Sequence, residues 1–322
     1  MSVLVYTENW DGKFKKLSFE LVSYATAVAK MFNTTVTAIS IGKVNESELI
    51  KLGNFGANKI INVNNDKLIN LDSQAYTSVI SEISLKENAS VIIISNNNTG
   101  KGIAPRLSVR LKAGVGSGVS RLPLSMNPFI VYKRTYSGNA FAHLVIKSDI
   151  KILTLSQNSF DLIETAGNPT IENLSPAIDG SLLKTVVKDV QKQTGKILLT
   201  DADIVVSGGR GMKSPDNWPP LVELATLLGA ATACSRPVSD EGWRPHEEHT
   251  GQTGKIIAPN LYIAVGISGA TQHLAGISSS KYIVAINSDK DAPIFEAAQY
   301  GIVGDAMKVL PKLVEAVKEI RK

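Results

Sequence analysis

The stretch Leu261-Tyr262-Ile263-Ala264-Val265-Gly266-Ile267-Ser268-Gly269-Ala270-Thr271-Gln272-His273 runs a continuous apolar segment into a glycine-bearing polar turn and the start of a helical pattern. Apolar runs that do not alternate belong to strands buried on both faces, which means a parallel sheet covered by helices. In such sheets ligands sit at the carboxyl ends of the strands. Glycines there let backbone amides approach a phosphate, while the following helix presents its positive end. Ser268 to His273 is therefore the best phosphate-binding candidate. Working outward, Ile204-Val205-Val206-Ser207 runs into Gly208-Gly209-Arg210-Gly211, which adds a guanidinium suited to a diphosphate. Thr250-Gly251-Gln252-Thr253-Gly254-Lys255 is a glycine-flanked polar loop of the same character. Between these loops the pattern predicts a helix over Leu221 to Leu228 and a strand over Tyr282 to Asn287, then an amphipathic closing helix over Ala306 to Ile320. Met307, Leu310, Leu313, Val314 and Val317 repeat there at three- and four-residue spacing and are assigned to the core.

The first half alternates in the same way: Val3 to Tyr6, Leu17 to Met31, Thr35 to Ser40, Glu46 to Leu52, Lys59 to Val63, Ala75 to Leu85, then the strand Val91 to Ile94. Asn96-Asn97-Asn98-Thr99-Gly100 reads as a turn closing that strand. Phe129 to Tyr132, Ala140 to Ile146 and Lys151 to Leu155 read as antiparallel pieces completing the sheet, and the polar stretch from Gly167 to Gly180 as a connection between domains. The fold class expected is α/β in two domains, residues 1–190 and 191–322, the second built on a parallel sheet.

The totals exclude several function classes. A chain of 322 residues with 43% hydrophobic and 20% charged residues is long enough for two cores. No run of eighteen apolar residues occurs, and Met1 leads straight into a strand, so a cytoplasmic protein that is not membrane-embedded is expected. The single cysteine, Cys234, leaves no internal disulfide and no CxxC site. The four histidines are scattered, and no metal is expected. The net charge of +5 is spread along the chain without a basic block, so no nucleic acid is expected.

Familiar motifs come close and fail. Gly211-Met212-Lys213-Ser214 lacks the glycine that a Walker loop has before its lysine, and Gly254-Lys255 is followed by Ile256 where a hydroxyl is needed. Gly266-Ile267-Ser268-Gly269-Ala270 ends in alanine where a nucleophile elbow has glycine, and His273 sits too close along the chain to serve as its base. Gly114-Val115-Gly116 does not continue into GxGxxG. What remains is glycines for phosphates, the pair Arg210 and Arg236, the hydroxyls of Ser235, Thr253 and Ser268, one histidine and no acid/base couple. Such a set suits a flavin whose own ring carries the chemistry while the protein tunes it.

At these residues the sequence closely resembles the electron-transfer flavoprotein alpha-subunit signature: Leu261 to Gly276 followed by Ile283 to Asn287, with Ser207-Gly208-Gly209-Arg210-Gly211, Cys234-Ser235-Arg236, Gly251-Gln252-Thr253-Gly254, Ala292-Pro293-Ile294-Phe295 and Tyr300 to Asp305 in the same order. The resemblance implies FAD as cofactor, held by Arg210, Ser235, Arg236, Thr250, Gly251, Gln252, Thr253, Ser268, Gly269, Ala270, Thr271, Gln272, His273, Asn287 and Asp305. Within that set it places Arg210 and the Ser268 to His273 loop at the diphosphate and ring region, His273 near the pyrimidine carbonyl, Arg236 and Thr253 beside the isoalloxazine, and Asn287 and Asp305 at the adenosine end. It further implies an N-terminal nucleotide-hydrolase-like domain packing on a smaller beta subunit. It implies an electron carrier with no substrate turnover of its own, fed by acyl-CoA or other flavin dehydrogenases and drained by a quinone oxidoreductase. A bifurcating variant using NADH and a direct flavin oxidoreductase are the alternatives. An ATP- or AMP-binding module is what the first half alone suggests. The chain departs from the family at Thr250, usually Val, at Thr271, usually Ile, and at Gly102, where the family has an acidic residue.

Each residue also has a structural alternative. Ser268 can be a helix N-cap. His143, His246 and His249 read as structural or loop residues, Cys234 as a small buried filler, and Trp218 as packing at a helix start. Trp243 is placed either in the core or over a bound ring.

Overall fold

In the computed structural model, the described residues run from 2 to 321, leaving out 139, 184 and 191–196. The chain divides into two compact units, Met1–Val190 and Gln191–Lys322. The expected boundary at 190/191 abuts residues 191–196, which lie outside the described residues.

The first unit carries the strands β1 (Ser2–Thr7), β2 (Asn9–Trp10), β3 (Lys13–Phe14), β4 (Val36–Ile41), β5 (Lys59–Val63), β6 (Ala89–Ser95), β7 (Gly114–Val119), β8 (Ser125–Met126), β9 (Phe129–Thr135), β10 (Ala140–Ile146), β11 (Lys151–Leu155) and β12 (Thr170–Leu174). Its helices are α1 (Lys16–Phe32), α2 (Glu46–Gly53), α3 (Ser73–Lys86) and α4 (Asn98–Leu111). The large sheet has the order β10-β9-β7-β11-β6-β1-β4-β5-β12, with β8 on β9, and β2 and β3 form a separate ribbon. β1, β4 and β6 are buried at every position, which explains their unbroken apolar character.

Three expectations are corrected here. Asn96 to Gly100 does not close a turn: the Asn97 side chain accepts from Gly100 N at 3.0 Å and starts α4 as its N-cap. β11 is parallel, seated between β6 and β7, and of the three late strands only β9 and β10 pair antiparallel. The stretch from Gly167 is more than a connection, because β12 lies parallel to β5 and extends the sheet edge.

The second unit has the order β14 (Ala231–Cys234), β13 (Ile204–Gly208), β15 (Leu261–Val265), β16 (Tyr282–Asn287), β17 (Tyr300–Val303), all parallel. Its helices are α5 (Pro219–Leu228), α6 (Arg236–Asp240), α7 (Thr271–Ile277), α8 (Ile294–Ala297) and α9 (Ala306–Ile320). α5 and α9 cover one face through Trp218, Leu221, Leu224, Leu310 and Val314 on Val206, Ile263 and Ile286. Cys234 packs in this core as a buried filler, its thiol pushed up to about 12 by burial. Val205, Tyr262, Ala264 and Ala285 pack on the other face with Ile277 and Ile294. The chain steps from β13 out to β14 and then back to β15, so the strand order reverses between β13 and β15. A crevice opens at such a point, at the carboxyl ends of the strands.

Candidate functional site

The loops after β13 and β15 meet backbone to backbone: Gly209 N donates to Val265 O at 2.9 Å and Gly211 N to Gly266 O at 3.0 Å. Gly269 has φ +88°, and a Cβ there would run into the backbone of Ile294, so glycine is required on two counts. The Thr250-to-Lys255 loop is tied to the third side, with Gln252 N on Gln272 O at 2.8 Å and a Cβ on Gly276 falling 2.5 Å from Gly251 Cα.

These loops enclose a cavity of about 500 Å³. The structure brings together in its wall Arg210, Ser235, Arg236, Thr250, Gly251, Gln252, Thr253, Ser268, Gly269, Ala270, Gln272, His273 and Asn287. Two residues of the expected set are not in the lining. Thr271 is exposed on the first turn of α7. Asp305 caps α9, accepting from Met307 N at 3.0 Å and pairing with Lys213 at 3.1 Å. Trp243 packs on the α5/α9 core instead of over the cavity. Sequence reasoning missed His249 and Asp289, which also line it, and had Ala292 and Pro293 only in the family signature and not among the cofactor contacts. Only position could have flagged His249, since it directly precedes Thr250-Gly251-Gln252 and its backbone pairs beside Cys234.

His273 is 7% exposed, and its Nε2 lies 2.8 Å from the hydroxyl of Tyr262. Burial raises the Tyr262 pKa, so its hydroxyl stays protonated and can donate to Nε2 or accept from it, the direction following the imidazole tautomer. Burial also pushes the His273 imidazole down to about 4; the Thr250 backbone offsets part of this, although Nδ1 makes no hydrogen bond of ordinary geometry. His273 is thus neutral near pH 7, and with Nε2 held by Tyr262 it is not available as a base for Ser268. His249 is 3% exposed, and its Nδ1 is also buried without a partner. An unsatisfied buried polar group costs about 1–3 kcal/mol, and both imidazoles border the cavity, which gives its wall a polar character.

The charged groups point the same way. Arg210 is exposed and has no carboxylate partner among the described residues. Arg236 reaches Asp240 at 3.3 Å with both side chains about two-thirds exposed, a pairing worth well under about 1 kcal/mol. Among the described residues, the backbone N–H groups of Ser268, Gly269 and Ala270 have no acceptor. A free guanidinium and a row of free amides form an anion-binding wall. The Asn287 side chain is structural as well, donating to Ile267 O at 2.9 Å and accepting from Asp289 N at 3.0 Å.

The matching crevice of the first unit, beside β1 and β6, is different in charge. Glu8 accepts there from Ser95 Oγ and from Asn97 Nδ2, which places a carboxylate beside the ends of these strands. Among the described residues, no group of side chains could hold a metal ion and no helix is long and apolar enough to cross a membrane.

A parallel sheet whose reversal point opens on free amides, a free arginine and unpartnered polar side chains defines a protein that holds a large phosphate-bearing cofactor. The sequence comparisons give the class its family. Residues 198–278 match the electron transfer flavoprotein FAD-binding domain, and residues 3–179 the electron transfer flavoprotein domain. The electron transfer flavoprotein subunit alpha of Syntrophomonas wolfei is 36% identical over 318 residues, covering 98% of each chain. That of Bacillus subtilis is 35% identical, covering 99% of this chain and 98% of its own, and protein FixB of Clostridium saccharobutylicum is 32% identical over 99% and 96%. The chain belongs to the electron transfer flavoprotein alpha-subunit family, and its second unit carries that family's FAD-binding domain.

Proposed function

We propose that this chain is the larger, FAD-holding subunit of a cytoplasmic electron carrier. It pairs with a smaller beta subunit, accepts electrons from flavin dehydrogenases such as acyl-CoA dehydrogenases, and passes them to a quinone oxidoreductase. The observation that carries the reading is the cavity wall: positive and hydrogen-bonding groups fixed by the fold, with its best base, His273, buried, neutral and tied to Tyr262. When bound, FAD supplies the redox chemistry. The protein binds and tunes it.

In this reading Arg210 and the amides of Ser268, Gly269 and Ala270 hold the diphosphate, and Asn287 lies toward the adenosine end. Ser235, Gln252 and Thr253 provide polar contacts around the ring, Arg236 gives it positive charge, and His273 lies near the pyrimidine carbonyl. The first unit serves as the surface on which the small subunit packs.

The test is a coupled assay. The purified heterodimer is mixed with a reduced acyl-CoA dehydrogenase and a quinone analogue with its reductase, and absorbance is followed at the flavin band. Turnover that requires the heterodimer supports the carrier. Oxidation of a small substrate by the heterodimer alone would mean a direct oxidoreductase instead.

A further inference from the structure

His249 directly follows the short turn His246–Glu248, and the next residue is anchored by Thr250 N donating to Cys234 O at 3.0 Å. The glycine loop covers its ring: a Cβ on Gly254 would come within 2.8 Å of Nδ1, and one on Gly251 within 3.4 Å of Nε2. The residue is 3% exposed and forms part of the cavity wall; its Nδ1 is sealed beneath Gly254, which leaves Nε2, on the Gly251 side, as the nitrogen open to a ligand. Its titratable and charged neighbours are His246 on the preceding turn, with ring centroids 5.4 Å apart, Arg236 and Asp240 on α6, and His273 on α7. None of them hydrogen-bonds it.

We propose that His249 is a cofactor-contacting residue whose neutral imidazole hydrogen-bonds bound FAD, so that its protonation and FAD binding oppose each other. This rests on the reading of the cavity as the FAD site. Burial is the main influence against the imidazolium, His246 and Arg236 add to it, and Asp240 works the other way. A cofactor filling the cavity displaces the remaining water and makes the charged ring costlier still. Binding and protonation then compete by linkage, and each weakens the other by the same factor.

The experiment measures FAD affinity by quenching of flavin fluorescence between pH 7.5 and 5.5, on the protein with its subunits assembled and its flavin stripped. The wild type is compared with His249→Gln and with His143→Gln on β10 as control. Affinity is expected to fall toward pH 5.5, by less than the limit of about tenfold per pH unit for one proton. His143→Gln keeps that fall and His249→Gln loses most of it. Because His249→Gln could fail to fold, the wild-type imidazole Cε1–H signals are also titrated with and without FAD. With four histidines in the chain, those of His143 and His246 are assigned from their Gln variants. That of His273 is assigned in the same way from His273→Asn, which leaves the His249 signal. A His249 signal that shifts with FAD and titrates at lower pH supports the proposal. An unchanged signal, an equal slope in His249→Gln, or affinity that rises toward pH 5.5 overturns it. Protein that takes up no FAD at pH 7.5 overturns this and the proposed function together.

Discussion

His273 links the site to stability through pH. Its folded pKa near 4 lies below the ordinary histidine value of about 6.5, so the unfolded chain binds the extra proton between those values. The stability it contributes is complete above about 6.5 and is lost as pH falls toward 4. In the flavin-free protein, urea unfolding at pH 4.5 and pH 7 should differ by about 2–3 kcal/mol from this residue, and His273→Asn should remove most of that difference. An equal difference in the variant would mean that the imidazole is not buried neutral. Arg236 is predicted to act on the cofactor's electronics instead. Its exposure and its contact with Asp240 limit the effect of Arg236→Ala to about 1 kcal/mol, or roughly 40 mV in a one-electron step, toward lower potential. FAD should stay bound, and an unchanged potential in a spectroelectrochemical titration would remove Arg236 from the ring's neighbourhood.

At the scale of elements, α9 is a packing device: Leu310 is 1% exposed against the sheet. Leu310→Ala should cost about 2–5 kcal/mol in urea unfolding while leaving the flavin spectrum of the folded protein unchanged. The apolar periodicity of α9 made it legible from the sequence with its bounds intact, because its pattern is set by local spacing. β13, β15 and β16 were legible for the same reason, as unbroken apolar runs ending at glycine or polar turns. β11 and β12 were misread because direction and sheet membership depend on partners far away in the chain: β11 pairs β6 and β12 pairs β5. α4 was hidden by Asn97, whose side chain caps a helix as readily as it makes a turn. Within the site, the glycine loops announced themselves. His249 did not, since burial decides its part in the wall and a polar loop sequence does not reveal burial. Asp305 came into the expected set from the family resemblance, and in the fold it caps α9 outside the cavity lining.

The whole chain comprises two units with separate cores, and among the described residues the cavity wall is drawn from the second. Calorimetry should therefore resolve a transition that FAD moves and one that it does not. The first gains about 3 kcal/mol at a free FAD concentration one hundred times Kd. A single transition moved as one would show that the units unfold together. The most direct test of the FAD-dependent carrier is the visible absorption spectrum of the chain purified with its partner subunit, with the released cofactor identified by chromatography. FAD bound in this chain's cavity, bleached by reductant and restored by a quinone-linked acceptor, is the predicted result. A colourless protein, or one that releases ATP, AMP or NAD, would contradict it.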